Sequence, residues 1–216
     1  MKNDMANAGN FRYKSLFVNG ELVALLEGFV DIYGLIVKSD VRLENNEKII
    51  RKEFVRYLKN KNYANSIEPF KNYSIDAEVE EDDGFLDLKI TPRKPLVDPM
   101  DYFSIECKRL DNKNQRGKTG LNAQYVKEGI NRYKEEKYST FHGCNGMFGF
   151  VVADMDVLHN TRCINTFLKK AEWLKQVNVI SDFEDVYLSS HRTGSGRQIV
   201  LYHLMFDLSN HIVPWN

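Results

Sequence analysis

Apolar and polar positions alternate through residues 103–108 of the stretch 102–110. A period of two predicts a strand with Tyr102, Ser104, Glu106 and Lys108 on one face and Phe103, Ile105 and Cys107 on the other. Two more alternating runs precede it, residues 73–80 and 85–90, separated by the acidic turn Glu81, Asp82, Asp83 and Gly84. An Asp-Gly pair between alternating runs predicts a hairpin. In its second strand Leu86, Leu88 and Ile90 are expected to share one face and Asp87 to point the other way, and Glu78, Glu80 and Asp87 could share a face of the hairpin. Pro92, Pro95 and Pro99 mark the loop before the third strand.

Helical spacing appears on both sides of this three-stranded unit. From 21 to 38, Leu22, Leu25, Leu26, Phe29, Ile32, Tyr33, Ile36 and Val37 recur at three and four, giving a helix with a wide apolar face. It suits packing, and equally a dimer or partner contact. A second helix is expected over about 44–59, with Ile49, Ile50, Phe54, Tyr57 and Leu58 inward. Glu53 falls on that stripe, either as a rim residue whose carboxylate reaches water or pointing into a site.

After the third strand, residues 111–120 form a polar loop carrying Lys113, Arg116 and Lys118. A helix over 121–137 follows, with Tyr125, Val126, Ile130 and Tyr133 inward. The continuous apolar run 147–153 predicts a buried strand. The pattern then gives a helix over 157–177, a strand over 185–190, a glycine-rich turn at 194–196 and a last strand over 198–208. No repeat, low-complexity tract or linker divides the chain. The expectation is one domain over 1–216, with a polar leader at 1–12 and a core at 44–153.

Composition narrows the classes. Lys plus Arg and Asp plus Glu are 30 each, so the formal net charge is zero. That excludes gripping nucleic acid by bulk positive charge, so such a role would need a local patch, a metal or a partner. Cysteines at 107, 144 and 163 have neither disulfide-framework nor zinc spacing, and predict reduced thiols in a cytoplasmic setting. The first residues have no apolar signal core, and Glu27 and Asp31 break the apolar run 22–37, too short and too charged for a membrane span. The five histidines have no zinc-like spacing. His203 reads as a structural histidine in an alternating strand, and His191 beside Arg192 could meet a phosphate. The glycines at 194 and 196 make no P-loop, and those at 143–149 precede a strand, so they make no dinucleotide fingerprint.

The candidate chemistry lies in the three strands. If they are adjacent, Asp87 and Glu106 meet across the sheet at about 5 Å. Two hard oxygen ligands, completed by water and a phosphate, suit Mg²⁺ or Mn²⁺. Lys108 on the same face could orient or deprotonate a water, or stabilise charge on a pentacovalent phosphorus.

This arrangement resembles the PD-(D/E)XK nuclease superfamily. The resemblance rests on Asp87, on Ile105, Glu106, Cys107 and Lys108 in the third strand, and on the helix–strand–strand–strand–helix–strand order. It covers about residues 48–153. Leu86 stands where the family pattern has proline. The resemblance implies an α/β fold with a restriction-endonuclease-like core: a mixed sheet flanked by helices, here with an extra N-terminal helix and C-terminal strands. It implies metal-dependent phosphodiester hydrolysis, of DNA in preference to RNA, in the manner of restriction or phage-defence enzymes. Asp87 and Glu106 would be the two acids, Lys108 the lysine, and Glu53 an extra acidic metal ligand on the preceding helix. Gln124, Tyr125 and Arg132 on the next helix would touch substrate, aided by Lys113 and Arg116. The alternative is an interaction subunit that keeps the nuclease fold, with an ATPase or helicase partner, or a homodimer, as companions.

Overall fold

A computed structural model describes residues 14–60, 67–81, 84–93 and 98–213; the leader at 1–12, the turn acids Asp82 and Asp83, and Pro95 lie outside the described residues. The helices are α1 (Lys14–Val37), α2 (Glu47–Lys59), α3 (121–134) and α4 (Val157–Asn165). The strands are β1 (Tyr73–Glu81), β2 (Gly84–Pro92), β3 (Phe103–Leu110), β4 (Cys144–Val151), β5 (Lys175–Gln176), β6 (Val186–Arg192) and β7 (Gln198–Asp207). They form one seven-stranded sheet in the order β1-β2-β3-β4-β7-β6-β5. The sheet is mixed: β3, β4 and β7 run parallel, and the pairs flanking them are antiparallel.

The alternation of β3 sorts its side chains between two cores. Phe103, Ile105 and Cys107 join Leu22, Leu25, Phe29, Ile50 and Phe54 from α1 and α2. Tyr102 and Leu110 join Tyr125, Val126, Ile130 and Tyr133 from α3, with Ile164 from α4. The central strands are therefore covered on both faces, which is why β4 is buried along its whole length. The apolar face of α1 is spent on the sheet: Leu22, Leu25, Leu26, Phe29, Ile32 and Ile36 are all fully buried. Phe54 fixes α2 by stacking on Phe150 at 5.5 Å, and burying such a ring contributes about 2–3 kcal/mol.

Three departures from the sequence pattern have local causes. Leu86 leaves the core that holds Leu88 and Ile90 and joins the opposite one. The β1–β2 ladder is interrupted between these two leucines, opposite Asp87, where Glu78 has a φ of 54°. The expected helix over 157–177 stops at Asn165, whose side-chain amide accepts from Leu174 N–H at 2.8 Å and donates to its carbonyl at 3.1 Å. The chain folds back there into a 3-10 turn and the short β5, which periodicity did not reveal. Helix α3 opens into a π turn over Tyr125–Ile130 and ends at Lys134.

Candidate functional site

Glu106 and Lys108 are positioned by β3 alone, because neighbours two apart on a strand face the same way. Lys108 Nζ donates to Glu106 Oε1 at 2.7 Å and to the Cys107 carbonyl at 2.9 Å. Asp87 is positioned by a fork in the sheet. Strands β2 and β3 pair from Ile90–Phe103 as far as Leu88–Ile105, and there the ladder ends. Asp87 fills the opening: its Oδ2 accepts from Cys107 N–H at 2.8 Å, replacing the ladder bond that the fork removes. The same oxygen lies 3.9 Å from Lys108 Nζ. One ammonium thus stands within 4 Å of both carboxylates, and all three residues are buried.

Two helices supply the surroundings. Asn46 caps α2, accepting from Lys48 N–H at 3.0 Å, and this fixes the first turn over the fork. From it Glu47 reaches Lys108 at 3.2 Å. One turn later Arg51, 5% exposed, pairs with Asp87 Oδ1 and donates to Glu78 Oε1 at 2.8 Å. Lys48 also meets Glu78, at 2.8 Å. On the other face Arg132 of α3 lies 3.5 Å from Glu106 Oε1 and bonds the Tyr138 hydroxyl. Tyr138 donates to Glu106 Oε2 at 2.8 Å. Gly129 lets α3 approach this closely; a Cβ there would come 2.6 Å from Met147 Cε and 3.6 Å from Lys108 Cγ. A cleft of about 380 Å³ opens beside Asp87, lined by Asn45, Glu47, Lys48, Arg51 and Arg109 among others.

The electrostatics follow from this packing. Burial, reinforced by the Asp87 charge, raises the Glu106 carboxyl from 4.5 to about 7, against the opposing pull of Lys108 and Arg132. For Lys108 burial works against the charge, but Glu106, Glu47 and Asp87 outweigh it and its pKa is raised. Lys108 is therefore an ammonium at neutral pH. Burial first, then Glu106, pushes the Tyr138 phenol up, so it remains a hydrogen-bond donor.

The other expected site residues are dispersed. Glu53 does not meet this cluster through any described contact: Arg56 holds its carboxylate at 2.7 and 2.9 Å, and the α2 acid that reaches Lys108 is Glu47. Tyr125 is corrected outright as a substrate contact. It is fully buried on the inner face that its spacing gives it, with its hydroxyl 2.8 Å from His203 Nδ1. Gln124, Lys113 and Arg116 are exposed, and none is hydrogen-bonded to Asp87, Glu106 or Lys108. Arg132 is brought to Glu106. Sequence reasoning missed Glu47, Arg51 and Tyr138. The i, i+4 spacing of Glu47 and Arg51 was a usable signal for the first two; Tyr138 lay beyond a helix end and carried none.

His203 is a structural histidine, bonded through Nε2 to Ser189 at 2.7 Å, and Ser189 also meets His191 at 2.6 Å. His191 is 3% exposed, within this network, which removes it as a surface phosphate contact.

Among the described residues no three acidic, histidine or cysteine side chains cluster closely enough to hold a metal ion by themselves. The donor set at the fork is different: two carboxylates and the Cys107 carbonyl surround one ammonium. Hard oxygens around a cation fit Mg²⁺, which is commonly held by one or two carboxylates plus water and substrate phosphate. No family model, no curated protein and no solved structure matches this chain.

Proposed function

We propose that this chain is a metal-dependent nuclease with a restriction-endonuclease-like core, hydrolysing phosphodiester bonds in DNA in preference to RNA, in the manner of the PD-(D/E)XK superfamily. The observation that carries the reading is the single ammonium of Lys108 within 4 Å of the Asp87 and Glu106 carboxylates at a sheet fork. Asp87, Glu106 and the Cys107 carbonyl would hold Mg²⁺ or Mn²⁺. When bound, such an ion supplies positive charge to a phosphate oxygen and lowers the pKa of a bound water.

The chain's own groups do the rest. Lys108 keeps its charge, so it acts as a donor to the developing phosphorane oxygens and not as a base. Tyr138 and Arg132 hold Glu106 in a fixed orientation. The cations Lys48, Arg51 and Arg109 lining the cleft give a phosphodiester backbone a place to lie, supplying the local positive charge that the neutral net charge does not.

The test is incubation of the purified chain with plasmid, single-stranded DNA and RNA, with and without Mg²⁺ or Mn²⁺. The expected result is metal-dependent cleavage of DNA that Glu106→Ala and Lys108→Ala each reduce by at least about a hundredfold. Absence of any cleavage removable by these substitutions overturns the reading for the isolated chain.

One observation favours a second reading, an interaction subunit or a partner-activated enzyme. Asp87 and Glu106 already have a protein donor on each oxygen: Arg51 and Cys107 N–H on the first, Lys108 and Tyr138 on the second. Repeating the assay with an ATPase or helicase partner separates the two, since a purely structural subunit stays inactive in both.

A further inference from the structure

The fork is balanced in formal charge without a metal. The carboxylates of Glu47, Glu78, Asp87 and Glu106 face the cations Lys48, Arg51, Lys108 and Arg132 in one connected network. A divalent ion placed between Asp87 and Glu106 adds two positive charges at the buried centre of a network whose formal charges already balance. Such an addition is unfavourable at low dielectric unless a cation leaves or an anion arrives.

Of the four cations, Arg51 is the one that both bridges two acids and lines the cleft. It bridges two acids, Asp87 and Glu78, and the second is half-buried at a break in the β1–β2 ladder. It also lines the open cleft, together with Lys48 and Arg109, so an entering phosphate meets its guanidinium. Guanidinium and phosphate match as a bidentate pair, and a phosphate could take Arg51 from Asp87.

We propose that Arg51 is a counter-ion that restrains divalent-metal binding in the free protein, and that it releases Asp87 when a nucleic-acid phosphate enters the cleft. Metal and nucleic acid then bind with positive coupling: each tightens the other by the same factor. Arg51 is a positioning residue in this scheme, acting on the metal through Asp87. The inference rests on the proposed metal site and adds its regulation.

The experiment is titration of Mn²⁺ followed by electron paramagnetic resonance, without turnover. It compares wild type, Arg51→Gln, Glu78→Gln and Asp87→Asn, each with and without a phosphorothioate DNA duplex. Arg51→Gln is expected to bind Mn²⁺ about tenfold or more tightly than wild type without DNA, because one adjacent positive charge is gone. The duplex should tighten wild type by a similar factor and Arg51→Gln by much less. Glu78→Gln, a half-buried and milder change, leaves Arg51 wholly to Asp87 and should weaken Mn²⁺ binding at least about threefold. It decides the question alone if Arg51→Gln does not fold. Unchanged or weaker binding by Arg51→Gln, or unchanged binding by Glu78→Gln, overturns the restraint. If Asp87→Asn weakens binding while those results stand, only the role of Arg51 has failed. If no variant binds Mn²⁺ with or without DNA, the metal reading itself has failed and this inference with it.

Discussion

Glu106 sets burial against charge at the centre of the fork. It is 1% exposed, beside Asp87, and its pKa stands near 7 in the metal-free protein against 4.5 unperturbed. A raised carboxyl pKa means that the folded state holds its proton more tightly than the unfolded chain. The resulting stability is complete below about pH 4.5 and is lost as pH rises to about 7. Urea unfolding in a chelator should therefore show wild type losing stability relative to Glu106→Gln across that window, with a constant difference above it. A pH-independent difference would mean that Lys108 and Arg132 neutralise the penalty completely. Glu106 and Lys108 were legible in the sequence as a pair, because their relation needs only the strand period. The side of Asp87 was legible from the same alternation; its bond to Cys107 N–H was not, because the fork beside Leu88 arises between strands.

At the scale of elements, the first turn of α2 is the most consequential piece of local structure. Asn46 caps it, and two of the next five residues, Glu47 and Arg51, reach into the fork. Asn46→Ala should cost about 1 kcal/mol in chemical denaturation, the ordinary value for a lost cap. It should also change Mn²⁺ affinity, since the frayed turn carries both side chains; stability loss with unaltered metal binding would show that the cap serves the helix only. The helix itself was legible from Ile50, Phe54 and Tyr57. Its acid was assigned to Glu53, because a carboxylate on an apolar stripe is conspicuous in a one-dimensional pattern. Arg56, three residues on, supplies Glu53 with a local partner and leaves the contact with Lys108 to Glu47. The π turn in α3 had no periodic signature, whereas the inward placement of Tyr125 with Val126, Ile130 and Tyr133 did.

Across the whole molecule, two polar systems lie among the buried residues. The fork joins β2, β3, α2 and α3, while Tyr125, His203, Ser189 and His191 form a hydrogen-bonded chain within the second core. Burial lowers the His191 pKa to about 4 and that of His203 well below its usual value, so both are neutral in the folded protein. Depressed histidine pKa values give stability that is present above about 6.5 and is lost as pH falls, opposite in sign to the Glu106 contribution. Tyr125→Phe should cost about 1–2 kcal/mol by leaving His203 short of a partner, while metal binding and any nuclease activity stay unchanged. Loss of activity in a variant that remains folded would restore Tyr125 to the site. All three cysteines, Cys107, Cys144 and Cys163, are buried free thiols, and no helix among the described residues is long and apolar enough to cross a membrane.

The sequence by itself determined what local periodicity can encode. It gave the α/β order, the hairpin, the two-faced β3, and the placement of Glu106 with Lys108 on one side and Cys107 on the other. These depend on neighbours a few residues apart, whose directions the backbone period dictates. Only the tertiary structure decided which charges meet. Lys108 finds Glu47 61 residues away and Arg51 finds Asp87 36 residues away. Such pairings depend on where the sheet forks and how α2 packs over it. No residue pattern specifies them, because any of the nearby lysines, arginines and acids would satisfy the same one-dimensional rule.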